Sequence, residues 1–177
     1  TINFINVKGS VKKLDIKNSF SDGLDVDFST LKIDDINVLS SRNDCADFSG
    51  GNYKLGKLNL NYCGDKALSV GEKSNIFLNE INAENSNFGV ASKDSSIVNI
   101  KTAYLNNLKT CLAAYNKKQE FDGGFIDIEK MVCENYYEKA DIDIYSKILE
   151  NKILLKNYQY GSTYDPEKLK VSKVYGK

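Results

Sequence analysis

The chain has no histidine and no tryptophan, one arginine (Arg42) and one proline (Pro166) among its 177 residues. Without histidine it cannot build a Ser-His-Asp triad, a Cys-His pair or a histidine-ligated metal site from its own residues. Without tryptophan it lacks the largest sugar-stacking side chain, although 11 tyrosines remain. A single arginine leaves one donor for a bidentate clamp on phosphate or carboxylate, and all other positive charge is lysine. Charge of neither sign dominates, with 24 Lys plus Arg against 24 Asp plus Glu. No global field therefore draws the chain to nucleic acid or to an anionic membrane. No apolar run approaches the roughly 18 residues of a spanning helix, and no signal-peptide pattern opens the chain. Thr1 already lies in a repeat, so the chain is expected to be the C-terminal part of a longer protein.

What the chain does have is a period. Segments beginning at Gly23, Cys45, Ala67, Gly89 and Cys111 share one mould and start 22 residues apart, and Thr1 fits one step earlier. A fixed short period marks a solenoid whose repeats bury their apolar faces only against their neighbours. Within each repeat, Ile2, Leu24, Ala46, Leu68, Val90 and Leu112 share a column. Asn3, Asp25, Asp47, Ser69, Ala91 and Ala113 alternate with it, which is the period-2 signature of a strand with one face buried. A second strand repeats as Val11/Leu14/Ile16, Ile33/Ile36/Val38 and Leu55/Leu58/Leu60. The next step is 23 residues, to Leu78/Ile81/Ala83, and reads as one extra residue in a turn. Helical solenoids need longer repeats and a 3.6 period, and the Leu-x-x-Leu-x-Leu pattern of leucine-rich repeats is missing.

The expected fold is therefore all-β: a parallel β-helix of six to seven rungs, right-handed by the general rule for parallel crossovers. It is expected to span 1–146, with a loop near 117–124 and an insertion near 129–139. The Lys- and Tyr-rich 147–177 is expected to form a C-terminal capping segment over the last rung.

Cys45, Cys63, Cys111 and Cys133 show no CxxC spacing. Cys45 and Cys111 share a column three rungs apart, roughly 14 Å at about 4.8 Å per rung, too far for a disulfide. Free thiols are expected. Asn18, Asn37, Asn61, Asn85 and Asn107 recur near the turns and are expected to form inward hydrogen-bonded ladders.

The outward side of the first strand carries the candidate chemistry. Asp25 and Asp47 become direct neighbours on adjacent rungs, with Asp27 alongside, and Ser69, Gly71, Lys93 and Tyr115 follow. Asp22, Arg42, Asp44 and Asp65 lie in the preceding turn. Stacked carboxylates repel unless a cation, a proton or hydrogen bonds offset them. Three uses fit: acid and base work on a glycosidic bond; Ca²⁺ held by Asp25 and Asp47; or proton transfer by Lys93 or Tyr115 beside a uronate carboxylate. The alternative is a set of turns and solvated rung edges.

The stretches Ser21-Asp-Gly-Leu-Asp-Val-Asp-Phe-Ser, Asn43-Asp-Cys-Ala-Asp-Phe-Ser-Gly and Gly64-Asp-Lys-Ala-Leu-Ser-Val-Gly-Glu-Lys-Ser resemble bacterial right-handed parallel β-helix repeat proteins of the pectate-lyase-like superfamily. That resemblance covers residues 1 to about 128. It implies a carbohydrate-recognising or structural module of an envelope or secreted protein, or else a polysaccharide lyase or C5-epimerase. Ligand-binding positions would then be Asp25, Asp27, Asp47 and Arg42, with Lys93 and Tyr115 moving the proton in an enzyme. The chain departs from the family's hydrolases in having neither their histidine nor an Arg-x-Lys segment.

Overall fold

The computed structural model describes residues 1–156 and the backbone of 158–159. It is an all-β parallel solenoid of about seven turns with about 22 residues per turn. The first three coils each pair a short strand with a long one: β1 (Ile2–Ile5) and β2 (Lys8–Ser19), β3 (Leu24–Asp27) and β4 (Thr30–Ser41), β5 (Ala46–Ser49) and β6 (Asn52–Cys63). From β7 (Lys66–Gly71) onward, long and short pieces fuse across the turn into β8 (Asn75–Lys93), β9 (Ile97–Tyr115) and β10 (Phe125–Ile142). β11 (Lys147–Glu150) adds a last parallel strand on β10. Two antiparallel pieces follow, β12 (Ile153–Leu154) on β11 and β13 (Tyr158–Gln159) on β10.

Register follows the repeat. Leu24 pairs with Ala46, Ala46 with Leu68, Leu68 with Val90, Val90 with Leu112 and Leu112 with Ala140. Each of these six is fully buried. Along the long strands, Ile33, Ile36 and Val38 stack under Leu55, Leu58 and Leu60, again in the core. The core is thus a set of columns along the axis, in which each fully buried leucine or isoleucine contributes about 2 kcal/mol of apolar burial. The coil bends at a repeated left-handed residue near the end of each long strand: Asn18, Ser40, Tyr62, Asn85, Asn107 and Asn135 all have φ between 50° and 70°. Asn tolerates that region best, and it supplies four of the six.

The 23-residue step falls where expected. β6 pairs with β8 at that offset while β7 and β8 keep 22, which places the extra residue in the turn at Glu72–Lys73, both at positive φ.

Two expectations are corrected. The insertion is not at 129–139, because those residues continue in β10 and pair with β9 at an offset of 28. The six additional residues form the loop between Tyr115 and Phe125. It is tied down by Asp94 Oδ1, which accepts the backbone N–H groups of Lys117 and Lys118 at 2.8 Å each. The cysteines are not free: Cys45 bonds Cys63 and Cys111 bonds Cys133, with Cα separations of 5.2 and 6.6 Å. The like-column comparison missed these pairs because a disulfide here crosses the turn. Cys63 stacks directly on Ser41, four residues before Cys45. Cys133 lies 22 residues after Cys111 but, because that coil is 28 residues long, it stacks on Leu105 instead.

Of the expected cap, 147–156 supply β11, a turn and β12, the backbone of 158–159 supplies β13, and the other residues lie outside those described.

Candidate functional site

Because β1, β3, β5 and β7 alternate, their outward positions form two parallel columns. The first runs Asn3, Asp25, Asp47, Ser69, Ala91, Ala113 and Asp141, each paired in register with the next. The second runs Asp27, Ser49 and Gly71, and continues with Lys93 beside Tyr115. A Cβ on Gly71 would lie 3.4 Å from Lys93 Cε, so the lysine stem packs directly against this glycine. All five expected residues of this face, Asp25, Asp27, Asp47, Lys93 and Tyr115, are thus brought to one sheet surface.

Its acidic end is under electrostatic stress. The Asp25 carboxyl is pushed up to about 6, first by burial and then by the charges of Asp27, Asp47 and Asp22. Its one stabilising contact is the Asn3 Nδ2–H donated to Oδ2 at 3.0 Å. Asp27 is raised too, by burial and by Asp47 and Glu72. Asp47 Oδ1 is shut off from solvent and accepts no hydrogen bond. Desolvation and like charge both favour the protonated acid, so below about pH 6 this end carries a carboxyl able to donate as well as accept.

The other end is built around a buried amine. Lys93 is 7% exposed, and its Nζ donates to Ser69 Oγ at 2.8 Å. Burial lowers its pKa, with Asp47 opposing. The Tyr115 phenol is raised, chiefly by burial, which makes it the poorer proton acceptor of the two.

Arg42 sits at the turn after β4, where its guanidinium stacks 4.1 Å over the Phe20 ring. In the same turn column, Asp22 Oδ1 accepts the Asp44 N–H at 3.0 Å and Asp44 Oδ1 accepts the Lys66 N–H at 2.9 Å. Lys66 Nζ also lies 3.5 Å from Asp44 Oδ1. These turn aspartates therefore act as structural rungs. Among the described residues no three His, Cys, Asp or Glu side chains converge to hold a metal ion. Asp25 and Asp47 stand as a pair.

Two asparagine ladders form. Asn37 donates to Asp15, Asn59 to Asn37 and Asn82 to Asn59, at 2.8, 2.7 and 2.9 Å, on the outer surface. The inward ladder is Asn107 to Asn85 to Asn61, at 2.9 and 2.8 Å. The expectation of inward ladders holds for Asn61, Asn85 and Asn107 and is corrected for the other two: Asn18 is exposed and Asn37 belongs to the outer ladder. The outer one was hidden because Asn59 and Asn82 lie in strands, away from the turns where the recurrence is conspicuous. No family model, characterised protein or solved structure matches the chain.

Proposed function

We propose that the outward face of the short-strand sheet binds a linear glycan, as one module of a larger bacterial secreted or envelope protein of the pectate-lyase-like kind. The observation carrying this reading is the in-register polar stack Asn3–Asp25–Asp47, which ends at the buried Ser69. It repeats at about 4.8 Å, close to the length of one sugar unit in an extended polymer. Asp25, with its pKa near 6, accepts hydrogen bonds from ligand hydroxyls when ionised and can also donate one below about pH 6. The clustered carboxylates disfavour an acidic polymer at this end, so a neutral or amine-bearing glycan is the better match. Two disulfides accord with an oxidising, extracytoplasmic compartment.

The experiment is NMR of neutral, amine-bearing and acidic polysaccharides mixed with the full chain. Line broadening with a neutral or amine-bearing glycan is expected, and it should vanish in Asp25→Asn/Asp47→Asn while thermal stability is kept or raised. Broadening that survives the double substitution, or none with any glycan, sinks the reading.

Lys93 favours a second reading. A buried amine of lowered pKa beside Ser69 is suited to proton abstraction next to a uronate carboxylate, as in a lyase or C5-epimerase. New unsaturated or inverted uronate signals in the acidic arm of the same experiment, absent with Lys93→Met, would establish it.

A further inference from the structure

A separate groove lies around the corner of the coil, on the outward side of the first half of the long strands. It encloses about 400 Å³ between two columns of side chains. One wall is Lys32, Lys54 and Phe77, and the other is Thr30, Asn52 and Asn75, all in register from coil to coil. Lys8 closes the first rung beneath Thr30.

Three observations point to a ligand. Lys32 and Lys54 are directly opposed like charges on adjacent strands, an arrangement that costs stability unless an anion offsets it. Asp34 does so for Lys32 at 3.0 Å, whereas Lys8 and Lys54 make no ion pair among the described residues. Next to Lys54 on the following rung, the Phe77 ring is 54% exposed, a flat apolar surface with nothing packed over it. Across the groove, Asn75 carries a buried Oδ1 that has no hydrogen-bond donor.

Each wall selects a different part of one molecule. Lysines lining one groove as point charges suit a phosphate group, whereas planar bidentate recognition of a carboxylate calls for arginine. The amides of Asn52 and Asn75 and the Thr30 hydroxyl line the other wall, where they suit the hydroxyl groups of a ligand. A bare aromatic ring calls for an apolar face of comparable size, which a pyranose presents on one side. The volume accommodates one or two sugar units.

We propose that this groove binds a phosphorylated sugar. The phosphate pairs with Lys54 and Lys8, the hydroxyls meet Asn52 and Asn75, and the ring lies on Phe77. The site shares no residue with the aspartate face and stands whether or not that face binds a glycan.

The test is calorimetric titration of the full chain with glucose 6-phosphate, glucose, inorganic phosphate and a phosphodiester-linked mannan. Saturable binding of glucose 6-phosphate is expected, at least tenfold tighter than of glucose or of inorganic phosphate. Lys54→Gln and Phe77→Ala should each weaken it at least fivefold, while Asp25→Asn/Asp47→Asn leaves it unchanged. Tighter binding of the mannan would identify a phosphoglycan as the source, and binding of the monoester alone a free sugar phosphate. Either result supports the shared chemistry. Equal affinity for inorganic phosphate, insensitivity to Phe77→Ala, or no binding by any phosphosugar overturns it. Both variants change exposed side chains, so retained thermal unfolding shows that a loss of binding is local.

Discussion

Two columns of aspartates run along this solenoid only a few residues apart, and they meet opposite fates. In the turn column, Asp22 and Asp44 each accept a backbone N–H from the coil above, and Lys66 adds a cation. In the strand column, Asp25 has one amide donor and Asp47 Oδ1 has none, since the backbone groups there are committed to the parallel ladder. The spacing and residue type are the same. The difference is whether the backbone is free to donate, which holds in turns and fails in strands. Turn aspartates are thus part of the scaffold, and strand aspartates are a cost the scaffold tolerates.

Substitutions sharpen that contrast. The largest effect belongs to Asp44→Ala, which strips the Lys66 N–H of its acceptor and leaves the mostly buried Lys66 amine with Asp65 as its remaining carboxylate. A loss of about 2–3 kcal/mol is expected in urea unfolding at pH 7. A neutral result would show that the turn column is not a scaffold.

Asp25→Asn works in the opposite direction. The folded-state pKa of Asp25, about 6, lies above its ordinary 3.8. Between those values the folded chain holds the extra proton, so this group's stabilising contribution is full below about pH 4 and is lost as pH rises through 6. Asp25→Asn should raise stability at pH 7 by about 1 kcal/mol, the value being reduced because solvent screens a half-buried carboxyl. It should also flatten the decline between pH 4 and 6 in thermal melts. A wild-type profile that climbs over that range instead would contradict the stressed-carboxylate picture.

The smallest effect is that of Asn3→Ala. Removing the one donor to Asp25 should raise that carboxyl further, moving the pH-dependent loss upward by less than about one pH unit. Carboxyl resonances followed by NMR titration would detect it, and an unmoved midpoint would mean the 3.0 Å contact carries little.

Much of the fold was legible because columns translate directly into period. The alternation of Leu24 and Val26 with Asp25 and Asp27 assigned both faces of the first strand, and the 23-residue step located the extra turn residue. The disulfides were not legible, because their geometry depends on how the chain crosses the turn. For Cys111–Cys133 it also depends on a 28-residue coil whose added length lies in a loop, away from the segment that looked inserted. At the site, the stacking of Asp25 on Asp47 could be read from spacing alone. The burial of Lys93 could not, since it depends on how the side chain folds back over Gly71 to reach Ser69 on the coil before it. The lysine groove was overlooked for a simpler reason: its members are scattered among ordinary surface residues, and only the register Lys32–Lys54–Phe77 aligns them.

The position of the first disulfide has a mechanical consequence. Pulled from Thr1, a stack of this kind peels one coil at a time, each giving up its contacts with the next. The 44 residues ahead of Cys45 would pay out about 150 Å of slack. The following coil would yield far less, because the Cys45–Cys63 bond short-circuits the segment between them. The protein would thus behave under tension as a tape with a stop sewn into it, compliant for its first two turns, held at the third, and compliant again until the Cys111–Cys133 bond.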